Sequence, residues 1–96
     1  MAQNDGKSIQ LATSKGGVEV LTIADNVAQG ADQPCRRAWI YSPTGNSEAY
    51  YNHGAPADAD DYLLLEGVEI ELPISNTNQI NIYGTDGNKV YVRWYG

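Results

Sequence analysis

The chain has 96 residues with 12 acidic against 6 basic side chains, a formal charge of −6. A chain of this length forms one domain and buries only about 60–70% of its unfolded surface, so its core stabilises it modestly. The acidic balance argues against sequence-independent binding to nucleic-acid phosphates, and the single basic pair, Arg36-Arg37, is too small to reverse it.

In chain order, residues 1–8 (MAQNDGKS) are too polar to enter a core and read as a flexible arm, with residues 9–96 as one β domain. The start lacks the basic, apolar, small-residue order of a signal peptide, and no apolar run approaches the ~18 residues that span a bilayer. A soluble protein made in a cytoplasm, with no membrane partner, is expected. Short segments of β character follow, each bounded by turn residues: Ile9–Ala12, Val18–Ile23, Ala38–Ser42, Glu48–Asn52, Tyr62–Leu65, Val68–Leu72, Ile80–Tyr83 and Val90–Tyr95. Lys15-Gly16-Gly17, Pro43-Thr44-Gly45-Asn46, Glu66-Gly67 and Asp86-Gly87 punctuate them. Asp25 to Pro34 and Gly54 to Asp61 read as loops. No segment holds a helical period over ten residues. About eight short strands at this spacing predict an all-β, small antiparallel sandwich of jelly-roll-like form.

The chemistry-bearing residues are sparse. Cys35 is the only cysteine, which excludes an internal disulfide and any CxxC metal pattern. Arg36 and Arg37 beside it would favour a thiolate, yet no base or resolving cysteine accompanies it, and a buried structural thiol is expected. His53 is the only histidine and sits in a Tyr-Asn-His-Gly turn without a nucleophile pattern around it. Asp58, Asp60 and Asp61 resemble a cation loop but lack the glycine and distal glutamate of an EF-hand, and so read as a solvated acidic loop. In Val68–Leu72, alternation places Val68, Ile70 and Leu72 on a buried face and Glu69 and Glu71 on a solvated one, where carboxylates blunt edge pairing rather than catalyse. No catalytic residue, metal or cofactor is expected.

The closing stretch, NQINIYGTDGNKVYVRWYG, holds two alternating patterns around a turn. A two-residue loop at Asp86-Gly87 would oppose Ile82 to Tyr91 and Ile80 to Arg93, splitting the apolar residues between faces. A three-residue loop with Gly87 left-handed instead pairs Ile82 with Val90 and Ile80 with Val92. That register predicts a core side and an outer side carrying Asn81, Tyr83, Tyr91 and Arg93.

From Cys35 onward, CRRAWIYSPTGN and then LLLEGVEIELPISNTNQINIYGTDGNKVYVRWY resemble the small β-sandwich virion proteins of tailed bacteriophages. The resemblance covers about two-thirds of the chain and is carried by turn and strand patterns: Arg36, Arg37, Asn46, Leu65, Gly67, Val68, Leu72, Asn78, Ile80, Ile82, Gly84, Val90 and Val92. It implies a non-enzymatic capsid decoration, or cement, protein on the outer surface of the virion, partnered by the major capsid protein and by other copies of itself. A cyclic trimer is the expected oligomer and a two-fold dimer the alternative. The expected contact residues are Tyr83, Tyr91, Arg93, Tyr95, Arg36 and Arg37, with Gln3, Asn4 and Lys7 from the arm. Two other readings stay open. One is a carbohydrate-binding module in which Trp39, Tyr50, Tyr51 and Trp94 stack on sugar rings, against the plainer expectation that both tryptophans fill the core. The other is a small tail or neck component.

Overall fold

The computed structural model describes residues 16–96. The expected strand Ile9–Ala12 and the arm with Gln3, Asn4 and Lys7 lie outside the described residues. Eight strands follow: β1 (Gly16–Thr22), β2 (Val27–Gln29), β3 (Arg37–Tyr41), β4 (Ala49–His53), β5 (Tyr62–Leu64), β6 (Glu69–Leu72), β7 (Ile80–Tyr83) and β8 (Lys89–Tyr95). They form two four-stranded sheets with orders β1-β8-β3-β6 and β2-β7-β4-β5. Every neighbouring pair is antiparallel. The partners β1 with β8, β2 with β7, β3 with β6 and β4 with β5 are those of one long antiparallel ribbon rolled onto itself, which is the jelly-roll arrangement.

Alternation builds the core. Ala38 and Ile40 of β3 and Val90 and Val92 of β8 point inward from one sheet, and Ala49, Leu64, Ile80 and Ile82 point inward from the other; all are buried in one cluster. Leu21, Ile23, Cys35, Leu72 and Ile74 complete it. In β6 the expected row is only partly buried: Leu72 is inside and Ile70 partly so, but Val68 precedes the strand and is exposed. Among the described residues Val68 has no strand neighbour to cover it.

Two corrections concern the turns. The stretch Asp25 to Pro34 is not all loop, because it contains β2. Asp25 and Asn26 both adopt positive φ, at 53° and 70°, and Ala24 and Val27 exchange both backbone hydrogen bonds across them, at 3.0 and 3.1 Å. This is the two-residue hairpin geometry that demands left-handed central residues, which Asp and Asn tolerate best after glycine.

The closing hairpin is the second correction. β7 and β8 do not pair; they lie in opposite sheets, so Ile82 and Val90 share the core instead of a ladder. Gly87 does have positive φ, at 89°. Its N–H donates to Ile23 O at 2.8 Å while Ile23 N–H donates to Asn88 O at 2.9 Å, so Gly87 and Asn88 together oppose one residue. The glycine bulge is there, but formed against the end of β1. The sandwich offered the chain a better use for both apolar rows than a flat ribbon that buries one face only.

Two connections cross between the sheets side by side, and Asn76 ties them. It caps the 3-10 turn Thr77–Gln79, accepting from Asn78 N–H at 2.9 Å, and its Oδ1 also accepts from Gln33 N–H at 3.0 Å. Its Nδ2 donates to Asp32 at 2.8 Å. Thr77 is fully buried, its hydroxyl donating to Ala31 O at 2.6 Å. Here the two backbones approach so closely that a Cβ on Gly30 would lie 2.0 Å from Thr77 O.

Three substitutions separate these effects in thermal or denaturant unfolding. Gly87→Ala should cost about 1 kcal/mol, because a side chain is disfavoured at that φ although the space beside it is open. Gly30→Ala should cost about 3 kcal/mol or more, since backbone must shift to admit the methyl. Ile82→Ala should cost roughly 2–5 kcal/mol through the cavity it leaves. A Gly30→Ala protein as stable as the parent would show that the two crossings do not touch as described.

Candidate docking face

The outward residues of the β1-β8-β3-β6 sheet form one connected surface. From β1 come Val18 and Val20, 68% and 49% exposed; from β8 come Tyr91, Arg93 and Tyr95. From β3 come Arg37, Trp39 and Tyr41, and from β6 Glu69 and Glu71. Register sets the neighbours: Val20 lies beside Tyr91 and Tyr91 beside Tyr41, while Val18 lies beside Arg93 and Arg93 beside Trp39. Tyr95 faces Arg37. The inward partners of these same strands are the core residues, so one alternation produces both surfaces.

At the centre is Trp39. The Arg93 guanidinium lies over its ring at 4.2 Å and that of Arg37 at 4.8 Å, while Tyr95 meets it edge-on at 5.5 Å between centroids. Each guanidinium is also held by two hydrogen bonds to a carboxylate: Arg37 to Glu71 at 2.9 and 2.9 Å, and Arg93 to Glu69 at 3.2 and 3.0 Å. Arg93 reaches across β3 to do so, because β8 and β6 are not neighbours. The arrangement is carboxylate, guanidinium, indole, guanidinium, carboxylate, with two charges of each sign. The hydrogen bonds from Arg37 hold the Glu71 carboxyl below its ordinary pKa, and Glu71 in turn raises that of Arg37. Exposed ion pairs contribute little to stability. Their effect here is to fix planar groups in place on the sheet.

The structure places the expected contact residues in three groups. Tyr91, Arg93, Tyr95 and Arg37 share this face. Tyr83 does not: it projects from the outer side of the other sheet, between Val27 and Tyr50, so the face expected to unite Tyr83 with Tyr91 is split between opposite sides of the sandwich. Arg36 precedes β3 and is exposed, its N–H donating to Tyr95 O at 2.7 Å. Gln3, Asn4 and Lys7 are outside the described residues. Val18, Val20, Trp39, Tyr41, Glu69 and Glu71 were not among the expected contacts. A signal for them existed in RRAWIYS, where Ala38 and Ile40 are purely apolar and the other parity carries Arg37, Trp39 and Tyr41.

The set proposed for sugar stacking does not converge. Trp39 is on the outer side of one sheet and Trp94 on its inner side, packed against the core; Tyr50 projects outward from the other sheet and Tyr51 inward. Trp39 therefore does not fill the core, because its parity is that of Arg37.

The chemistry-bearing residues are engaged in structure. Cys35 is buried, and its burial raises the thiol pKa, opposing thiolate formation despite Arg36 beside it. His53 is half-buried, stacked on Tyr62 at 6.5 Å. Asp58 accepts from Asp60 N–H at 2.8 Å, and Asp61 accepts from Asp58 N–H at 2.8 Å and from Asn52 Nδ2 at 3.1 Å, so these carboxylates shape their own turn. Glu66 accepts from Gly45 N–H at 2.7 Å, tying two loops. A cleft of about 380 Å³ between the Gly54–Pro56 loop and β7 is walled by Gln29, Asn78, Gln79 and Asn81, with no acid, imidazole or thiol. Among the described residues no helix is long and apolar enough to cross a membrane.

No family model matches the chain, and comparison with curated proteins and with solved structures returns no match.

The pairing has a pH signature. Because the folded Glu71 pKa is depressed, its contribution to stability is fully present above the ordinary carboxylate range near pH ~4 and is lost as pH falls through the lowered value. Thermal melts of the parent and of Glu71→Gln should therefore differ at neutral pH and converge in strong acid. Curves that stay parallel down to the acid limit would show that the Arg37 pair contributes nothing.

Proposed function

We propose that this chain is a non-enzymatic docking domain that decorates the outer shell of a tailed-bacteriophage capsid, with the face centred on Trp39 set against the major capsid protein. The observation that carries docking is the carboxylate–guanidinium–indole ladder, flanked by tyrosines and two exposed valines on one face of a sheet. Aromatic residues and arginine dominate the energy of protein interfaces, and here their planes are held before any partner arrives, which reduces the ordering cost of binding. The capsid station is supported by the resemblance of Cys35 to Tyr95 to small virion sandwiches. Cementing requires added contact area bridging neighbouring subunits and no reaction. Moderate affinity per copy suffices when many copies act on one closed shell.

The test is loading of the purified chain onto expanded shells that lack it, followed by sedimentation. Trp39→Ala and Tyr91→Ala, both on the outer side of the sheet, should leave a folded domain whose affinity for shells falls by about 2 kcal/mol, roughly thirtyfold. Tyr83→Ala, on the opposite side of the sandwich, should load like the parent. The reverse pattern would move the contact to the other sheet, and a parent chain that never loads would remove the capsid reading.

A further inference from the structure

Each sheet has two edges, and among the described residues β1 differs from the other three. β2 and β5 are three residues long and β6 is four, with Glu69 and Glu71 guarding it; β1 is seven. An exposed strand of this length is a template for another strand unless charge, proline or a bulge blocks it. β1 contains no proline, and its single charge, Glu19, turns toward the β2–β3 loop, where both carboxylate oxygens lie 3.2 Å from Ala31 N.

The free hydrogen-bonding groups of this edge can be assigned. Ile23 N–H donates to Asn88 O, so in this antiparallel ladder the odd-numbered residues Ile23, Leu21, Glu19 and Gly17 direct their backbone groups toward β8. Val18, Val20 and Thr22 therefore present theirs to the open side. The residues whose backbone groups have no partner among the described residues are also those whose side chains point outward, beside Tyr91 and Arg93.

We propose that β1 pairs antiparallel with β1 of a second copy across a two-fold axis, joining two four-stranded sheets into one of eight strands. An antiparallel strand is complementary to itself, which is what a two-fold contact requires. Self-complementarity selects the occupant, and charge selects the place and the register. A chain of net charge −6 meets a copy of itself with least repulsion where acidic side chains are absent, and the outward row of β1 is Val18, Val20 and Thr22. Full overlap of the seven residues would set Glu19 against Glu19 of the copy; centring on Val20 sets it against Leu21 and keeps the free groups of Val18, Val20 and Thr22 paired. The two docking faces then lie on the same side of one continuous sheet. The pairing does not depend on the capsid reading.

The experiment is sedimentation of the full chain over a wide concentration range, with two variants. Val20→Pro removes a donor that faces the open edge and not one used by β8, so the domain should melt as the parent does while the dimer Kd rises by about tenfold or more. Val20→Lys leaves the backbone intact and should act the same way, by placing two ammonium groups across the axis. Hydrogen exchange of the parent should show the Val18, Val20 and Thr22 amides protected at high concentration and exposed on dilution. A parent monomeric at every concentration would overturn the proposal, as would a dimer that persists in both variants. A chain that dimerises only after residues 1–13 are removed would show that the edge is already taken within the chain, and would overturn it too. Shell loading is read separately: a monomer that loads leaves the docking face standing, and a dimer that does not load removes only the capsid assignment.

Discussion

The position of β8 between β1 and β3 is the contact on which the rest of this molecule depends. Its inward residues Val90 and Val92 are fully buried, and its outward residues set the line along which Tyr91, Arg93 and Tyr95 meet their neighbours on both sides. Because side chains alternate along a strand, the burial that fixes the register of β8 also fixes the docking face. A slip by one residue would put Arg93 inside and Val92 outside, at a cost far above that of any surface contact. The face is therefore as well defined as the core, although exposed ion pairs alone would not make it so.

What the amino-acid pattern disclosed is the local part of this structure. Seven of the strands are readable from alternation between turn residues, and the left-handed glycine at Gly87 is readable from its place in a Thr-Asp-Gly turn. What it did not disclose is which strands become neighbours. Pairing β7 directly with β8 satisfies every local rule; the observed arrangement wins because opposite sheets bury both apolar rows against each other. The miss at β2 has a different origin. Val27–Gln29 is too short to show a period, and only the Asp25-Asn26 pair marks it. Trp39 misled because a large aromatic beside Ile40 reads as core, whereas its parity groups it with Arg37.

The ladder on Trp39 also bears on the kind of partner this surface suits. An indole under two guanidinium groups has its ring already covered, so it is poorly placed to receive a sugar ring. The same covering makes it a firm platform. Both arginines are neutralised by glutamates of the same face, which leaves the centre of the surface without net charge while the chain as a whole is acidic. A protein surface with aromatic and aliphatic groups at its own centre would match it; a polyanion would not.

The rolled-ribbon topology has a consequence for synthesis. Among the described residues strand β1 finds its ladder neighbour only in β8, so the first described strand to leave the ribosome waits for the last of them. Until then β1 has the core to join but no ladder, and its valines and leucine stay open to other chains. Such distant pairings make folding slow and expose intermediates to aggregation. The Ala24–Val27 bridge across Asp25-Asn26 keeps the chain folded back between β1 and β2 in the interval, and the half-made first sheet, missing one of its two central strands, is the species that a crowded cell would have to keep from sticking.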